Sequence, residues 1–190
     1  MSSLSEPMQG KVWKFGDSIS TNQIGGGGGR GARNLSPEER QAAMKANCLR
    51  AARPEFSEGV QDGDILVAGT NFGNGSSSPG AVEALIACGL QVLVAESISR
   101  LILRTCVAKG LPAFAAPGVT EIVEDGEQLR VDYNAGVISN PKSGKQVSFK
   151  KLPPTVEQIY EAGGIQQVIG RRLAAEGVFP PAAVAATPGG

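Results

Sequence analysis

The chain has 190 residues, 41% of them hydrophobic, and its 18 basic and 18 acidic side chains leave a formal net charge of zero. That length supports one domain with a sizeable core and leaves little room for a second. No basic run or aromatic-basic interleaving occurs, so neither a nucleic acid nor an anionic membrane surface is an expected partner, and no apolar stretch reaches membrane-spanning length.

Taken in chain order, residues 1–9 are polar, without a basic or apolar targeting region. They read as a flexible lead to a domain over residues 10–177 in a soluble cytoplasmic protein. Gly25 to Gly29 is a run of glycines followed by Arg30, and glycine's backbone entropy makes a fixed conformation there costly unless a ligand or partner orders it. Asp64–Ala68 is an apolar strand, residues 79–88 a helix closed by Gly89, and Gln91–Ala95 a second buried strand. Ser99–Lys109 carries Leu101, Ile102, Cys106 and Val107 at helical spacing with Gly110 as its stop, and Leu111–Ala115 is a third strand. This alternation predicts an α/β fold with a parallel core sheet and right-handed crossovers. Beyond Gly118 antiparallel hairpins are expected, the first joining Glu121–Val123 to Leu129–Tyr133 and the second turning near Asn140–Gly144. Thr155–Ala162 and Ile165–Glu176 are predicted helices separated by Gly163–Gly164, and residues 178–190, rich in Pro, Ala and Gly, read as a disordered tail.

The segment from Gly69 to Gly80 carries the strongest chemical signal, because glycines and hydroxyls lie between a strand and a helix start. Ser78 before Pro79 is predicted as an N-cap with proline at the first helical position. Unpaired N–H groups there would suit a carboxylate or phosphate, although a plain strand-to-helix turn fits the same residues. A phosphate loop is disfavoured, since no Lys-Ser/Thr ending follows the glycines. Histidine is absent, and Cys48, Cys88 and Cys106 stand far apart without a C-x-x-C pair. A disulfide scaffold, a zinc site and any histidine-dependent nucleophile are therefore excluded within the chain. No metal ligand is assigned, Cys88 and Cys106 are expected to pack as small hydrophobes, and Lys109 is expected to be solvated.

Asn71–Phe72–Gly73, one variable residue, then Gly75–Ser76–Ser77 resembles the N-F-G-x-G-S-S-R-E-H loop of the isopropylmalate isomerase small-subunit family, which is similar to the swivelling domain of aconitase. Gly16–Asp17–Ser18–Ile19–Ser20–Thr21–Asn22–Gln23–Ile24 resembles that family's G-D-x-I-x-T-D-x-I signature, Ser97–Ile98–Ser99–Arg100 its S-F-A-R motif, and Glu161–Ala162–Gly163–Gly164 its E-A-G-G segment. These segments are colinear from about Gly10 to about Leu173. The resemblance implies a swivelling β/β/α domain with a parallel core and added hairpins. It further implies a hydro-lyase of leucine biosynthesis type, in which a separate large subunit holds a 4Fe-4S cluster and the two chains together act on a small hydroxy acid.

Carried over residue by residue, the resemblance makes Ser76 the base that removes a proton beside a carboxylate. It places Asn74, Gly75, Ser77, Ser78 and Asn22 around the substrate and matches Arg30 to a loop arginine that helps choose the substrate side chain. Two family charges are missing: Ser78 stands where the family has arginine, and Asn22 where it has aspartate. An arginine fork is a strong, geometrically specific carboxylate contact, so its loss points to an altered substrate, a substitute arginine or a degenerate copy. Arg100 and Arg104, one helical turn apart, are the candidates for substitute charge, or else surface ion-pair partners. The alternative to an enzyme subunit is a catalytically degenerate paralogue serving as a binding or regulatory subunit, favoured by those two neutral positions.

Overall fold

The computed structural model describes residues 4–25, 34–76 and 78–178. In chain order the elements are β1 (Met8–Lys14), α1 (Thr21–Ile24), α2 (Pro37–Asn47), α3 (Phe56–Gly59), β2 (Ile65–Ala68), α4 (Pro79–Ala87), β3 (Val92–Ala95), α5 (Arg100–Lys109), β4 (Ala113–Ala115), α6 (Val119–Ile122), β5 (Gln128–Asp132), β6 (Val137–Ser139), β7 (Gln146–Ser148), α7 (Pro154–Ala162) and α8 (Ile165–Ala175). They build one curled seven-stranded sheet in the order β4-β3-β2-β1-β5-β6-β7. Strands β1 to β4 are parallel, whereas β5 pairs antiparallel with β1 and β6 and β7 continue antiparallel. The expected parallel core with antiparallel additions is thus the architecture found.

The two-residue alternation of strand side chains divides the interior. Trp13, Leu66, Ala68, Leu93 and Ala95 face one side, where they pack with α3 Phe56, with Ala81, Val82 and Leu85 of α4, and with Ile102 and Cys106 of α5. Val12, Ile65, Val67, Val92 and Val94 face the other, where Val119 and Ile122 of α6, Tyr160 of α7 and Leu129, Val131 and Ile138 of the curled half cover them. Strands β2 and β3 are buried along their whole length, which is why they read as unbroken apolar runs rather than alternating ones.

Several expectations are corrected. Residues 1–9 do not lie wholly outside the fold: Leu4 is buried with its N–H donating to Glu161 Oε1 at 2.7 Å, and β1 begins at Met8, which is fully buried. Glu121–Val123 is no strand, because Gly118 is left-handed (φ 88°) and Glu96 accepts the N–H groups of Gly118 and Thr120, turning the chain into α6. Strand β5 pairs with β1 instead, its turn anchored by Gly126 N–H to Val12 O. Lys109 is not free in solvent but ion-paired with Glu83 of α4. Helix α2 was not anticipated, although Ser36, Pro37 and Glu39 form a reciprocal capping box that is visible in the sequence. Arg30 and residues 179–190 lie outside the described residues.

Asp64 is the buried polar hinge of the first face. Its Oδ2 accepts Trp13 Nε1–H at 2.8 Å and Gln61 N–H at 3.0 Å. The Trp13 ring it holds packs edge-on to Phe56 and lies under the Lys11 and Arg53 cations. Asp64→Ala leaves the indole donor unsatisfied and is expected to lower unfolding free energy by about 1–3 kcal/mol, read as a lower urea midpoint, while Asp64→Asn retains an acceptor and loses less.

At the other end of the sheet, Asn140 donates from Nδ2 to Ile122 O and to Glu127 Oε2, and its Oδ1 accepts Lys142 and Ser143 N–H, closing the β6–β7 turn. The Glu124 N–H, the Lys142 ammonium and the Asn140 amide hold the Glu127 carboxyl down at about 2. Its folded value lies below the ordinary carboxylate range near 4.3, so its support is present above that range and is lost as pH falls through about 2. Protection of the β6–β7 turn amides relative to their intrinsic exchange rate at each pH is expected to fall across that window in the native protein, and Glu127→Gln should remove that fall.

Candidate active site

Three loops meet beyond the carboxyl ends of the parallel strands, the end of an open α/β sheet where ligands bind. The loop after β2, Gly69 to Ser78, is held between the loop after β1 and the loop after β3. On one side Gly73 N–H donates to Ile19 O at 2.7 Å and Thr21 N–H to Asn74 O at 2.8 Å, and Ser20 and Asn74 form a parallel bridge. On the other, Phe72 N–H donates to Ser97 O at 3.0 Å, Ser99 N–H to Phe72 O at 2.8 Å, and Asn71 N–H to Ser97 Oγ at 2.8 Å. The ladder of β1, β2 and β3 therefore continues past the strand ends, in the same order.

Asp17 fixes the root of this arrangement. Its Oδ1 accepts both the backbone N–H and the hydroxyl of Thr70, and these bonds hold its carboxyl below the usual range. Helix α1 is secured by a capping box in which Ser20 Oγ accepts Gln23 N–H while Gln23 Oε1 accepts Ser20 N–H at 2.9 Å. Its first residue, Thr21, is only 5% exposed. Two glycines let the central loop close on these neighbours. Gly73 has φ +73° and any Cβ there would strike the Ile102 side chain; Gly75 has φ +110° and a Cβ there would stand 2.9 Å from Thr21 Oγ1.

Ser76 emerges from this frame exposed at the loop's tip. Its N–H donates to Thr21 Oγ1 at 3.0 Å, its Oγ lies 3.4 Å from the same hydroxyl, and the Ser78 N–H donates to Ser76 Oγ at 3.3 Å. Helix α4 starts at Pro79 as the sequence predicts, yet Ser78 at the N-cap position makes no side-chain capping bond. Asn74 donates from Nδ2 to Asn71 O at 3.2 Å, so its side chain braces the loop. Asn22 is exposed on α1, next to Thr21. Arg100 opens α5 directly after the segment paired with Phe72, placing it at the same end of the sheet as Ser76, and among the described residues neither Arg100 nor Arg104 forms an ion pair. Ser77 lies outside the described residues. Thr21, Asp17 and Ser97 are the members of the constellation that sequence reasoning did not assign to the site; the first two stand inside the Gly16–Ile24 signature, which was the available signal.

The donor set among the described residues does not fit a metal cluster. Among the described residues no group of three or more His, Cys, Asp or Glu could hold a metal. All three thiols are free and buried; burial pushes Cys106 up to about 12, while the hydrogen bond between Cys48 and Cys88 pushes the Cys48 thiol up and the Cys88 thiol down. Cys48 and Cys106 thus resist the deprotonation that ligation requires. Among the described residues no helix is long and apolar enough to cross a membrane.

Residues 36–112 match the family model described as the aconitase C-terminal domain. The chain is 38% identical over 164 residues to 3-isopropylmalate dehydratase small subunit 1 of Methanopyrus kandleri, covering 86% of this chain and 93% of that one. It is 35% identical over 170 residues to the isopropylmalate/citramalate isomerase small subunit of Methanocaldococcus jannaschii, covering 88% and 96%. A crystal structure of 3-isopropylmalate dehydratase from the same organism superposes with a TM-score of 0.79 at 25% identity, covering 91% of this chain and 99% of that one. With this coverage, and with the Ser76 loop framed as described, the chain belongs to the 3-isopropylmalate dehydratase small-subunit family of aconitase-like hydro-lyase subunits.

Proposed function

We propose that this chain acts in the cytoplasm as the small subunit of a two-chain hydro-lyase, removing and adding water at a malate-type hydroxy acid with Ser76 as its base. The 4Fe-4S cluster of that reaction resides in the large subunit, in keeping with the absence of a ligand set among the described residues. The observation that carries the reading is the convergence on Ser76 Oγ of the Thr21 hydroxyl at 3.4 Å and the Ser78 N–H at 3.3 Å. A serine oxygen takes a proton from carbon only as an alkoxide, and donors already oriented toward it lower the cost of that charge.

Asn22, Asn74, Gly75, Ser77, Ser78 and Arg30 surround the substrate in this reading, Ser77 and Arg30 on the strength of the family resemblance alone. Arg100, exposed and without an ion-pair partner among the described residues, supplies the cation for a substrate carboxylate where the family's arginine is replaced by Ser78. A second reading, a degenerate binding or regulatory subunit, is favoured by the neutral Ser78 and Asn22.

Reconstitution with the large subunit separates the two, using 3-isopropylmalate and citramalate as substrates. Ser76→Ala is expected to lower turnover by orders of magnitude with little change in KM, since the lost group acts in the transition state. Equal turnover by mutant and native complexes would favour the regulatory subunit. Ser78→Arg, at an exposed position whose side chain caps nothing, is expected to tighten dicarboxylate binding by about 1.5–3 kcal/mol if the substrate presents a carboxylate there. Calorimetric titration of malate-like acids and neutral analogues reads this directly, and identical profiles would mean that residue 78 does not face the ligand.

A further inference from the structure

We infer that Thr21 is a positioning residue for Ser76, aiming and polarising its hydroxyl for proton transfer; the inference rests on Ser76 being the base proposed above. Thr21 is one of three polar or charged side chains buried among the described residues, and its hydroxyl meets both the backbone N–H and the hydroxyl of Ser76. Its Oγ1 accepts the Ser76 N–H at 3.0 Å, which uses the oxygen as an acceptor. Its own proton remains to donate, and Ser76 Oγ lies within reach at 3.4 Å, a contact in which either hydroxyl can be the donor. When Thr21 is the donor, its O–H and the Ser78 N–H both point at Ser76 Oγ, and the Ser76 proton turns away from them.

The position of Thr21 is itself over-determined. Its N–H is tied to Asn74 O at 2.8 Å, the capping box of Ser20 and Gln23 fixes the helix it starts, and its β-branch restricts χ1. An independent feature points the same way: the loop approaches Thr21 so closely at Gly75 that a Cβ would stand 2.9 Å from Oγ1, at a φ of +110° that favours glycine. The loop is thus shaped around this hydroxyl. A threonine that served packing alone would tolerate valine, which has the same shape and no proton to give.

The test compares Thr21→Val, Thr21→Ser and Ser76→Ala in the complex reconstituted with the large subunit. Thr21→Val is expected to lower kcat about 10²-fold, the usual loss for one donor to a developing oxyanion, with KM changed less than threefold. Its rate is also expected to rise at higher pH than that of the native complex, because the alkoxide has lost a donor. Thr21→Ser keeps the hydroxyl and should restore both kcat and the pH profile to within about threefold. Should valine prevent folding or assembly, Thr21→Ala carries the same expectation. Native turnover in Thr21→Val, or a loss with an unmoved pH profile that serine fails to rescue, would overturn the inference while leaving Ser76 as base if Ser76→Ala is dead. A fully active Ser76→Ala complex would instead overturn the proposed function and this inference with it.

Discussion

Strand β1 is hydrogen-bonded on both edges, parallel to β2 along Val12–Lys14 and antiparallel to β5 along Met8–Lys11. The rest of the molecule follows from that double pairing. It joins the parallel half of the sheet to the curled antiparallel half, so the two apolar clusters form on opposite faces of one continuous surface. It also fixes the register at which β1 ends, and therefore the height at which Asp17, Ser20 and Thr21 meet the loop after β2. A slip of one residue would exchange Val12 and Trp13 between faces, and the contacts of Asp17 with Thr70 and of Thr21 with Asn74 and Ser76 would be lost together.

The site is consequently rigid where it is rooted and open where it is exposed. Backbone bonds from the loops after β1 and β3 satisfy the loop that carries Ser76 on both sides, yet Gly75, Ser76 and Ser78 themselves remain exposed. That combination suits a half-site completed by another surface: in the proposed function the base is aimed by its own chain, and the large subunit would supply the remaining walls and the metal chemistry. Position 78 illustrates the division. Its backbone N–H is spent on Ser76, but its side chain caps nothing, so a change of side chain there removes no bond from the start of helix α4.

The acidic residues at this end of the sheet serve the scaffold. Asp17 and Glu96 both accept backbone N–H groups from a neighbouring loop, Thr70 in one case and Gly118 with Thr120 in the other. Burial raises the Glu96 carboxyl, but the Thr120 hydroxyl and the two N–H groups outweigh it and leave the group held below its usual range. Ionised carboxylates used this way are poor proton acceptors, in keeping with the proposal that gives the role of base to Ser76.

Local pattern was enough for several of the regular elements. Ile65–Ala68 and Val92–Ala95 are legible as strands because each is apolar throughout, α5 because its apolar spacing ends at Gly110, and the break between α7 and α8 because Gly163 and Gly164 both take positive φ. The family and the loop bearing Ser76 were legible from colinear motifs of glycine and hydroxyl residues. The hidden features depend on residues far apart in sequence. Glu121–Val123 has strand-like composition, but Glu96, more than twenty residues earlier, captures Gly118 and Thr120 and winds the segment into α6. On its edge away from β6, the partner of β5 is β1, more than a hundred residues away, rather than the expected Glu121–Val123. Thr21 belongs to the same class: the sequence by itself supplied the hydroxyl in the right signature, but only tertiary pairing of the loops after β1 and β2 brought it against Ser76, because hydrogen bonds between separate loops leave no periodicity to read.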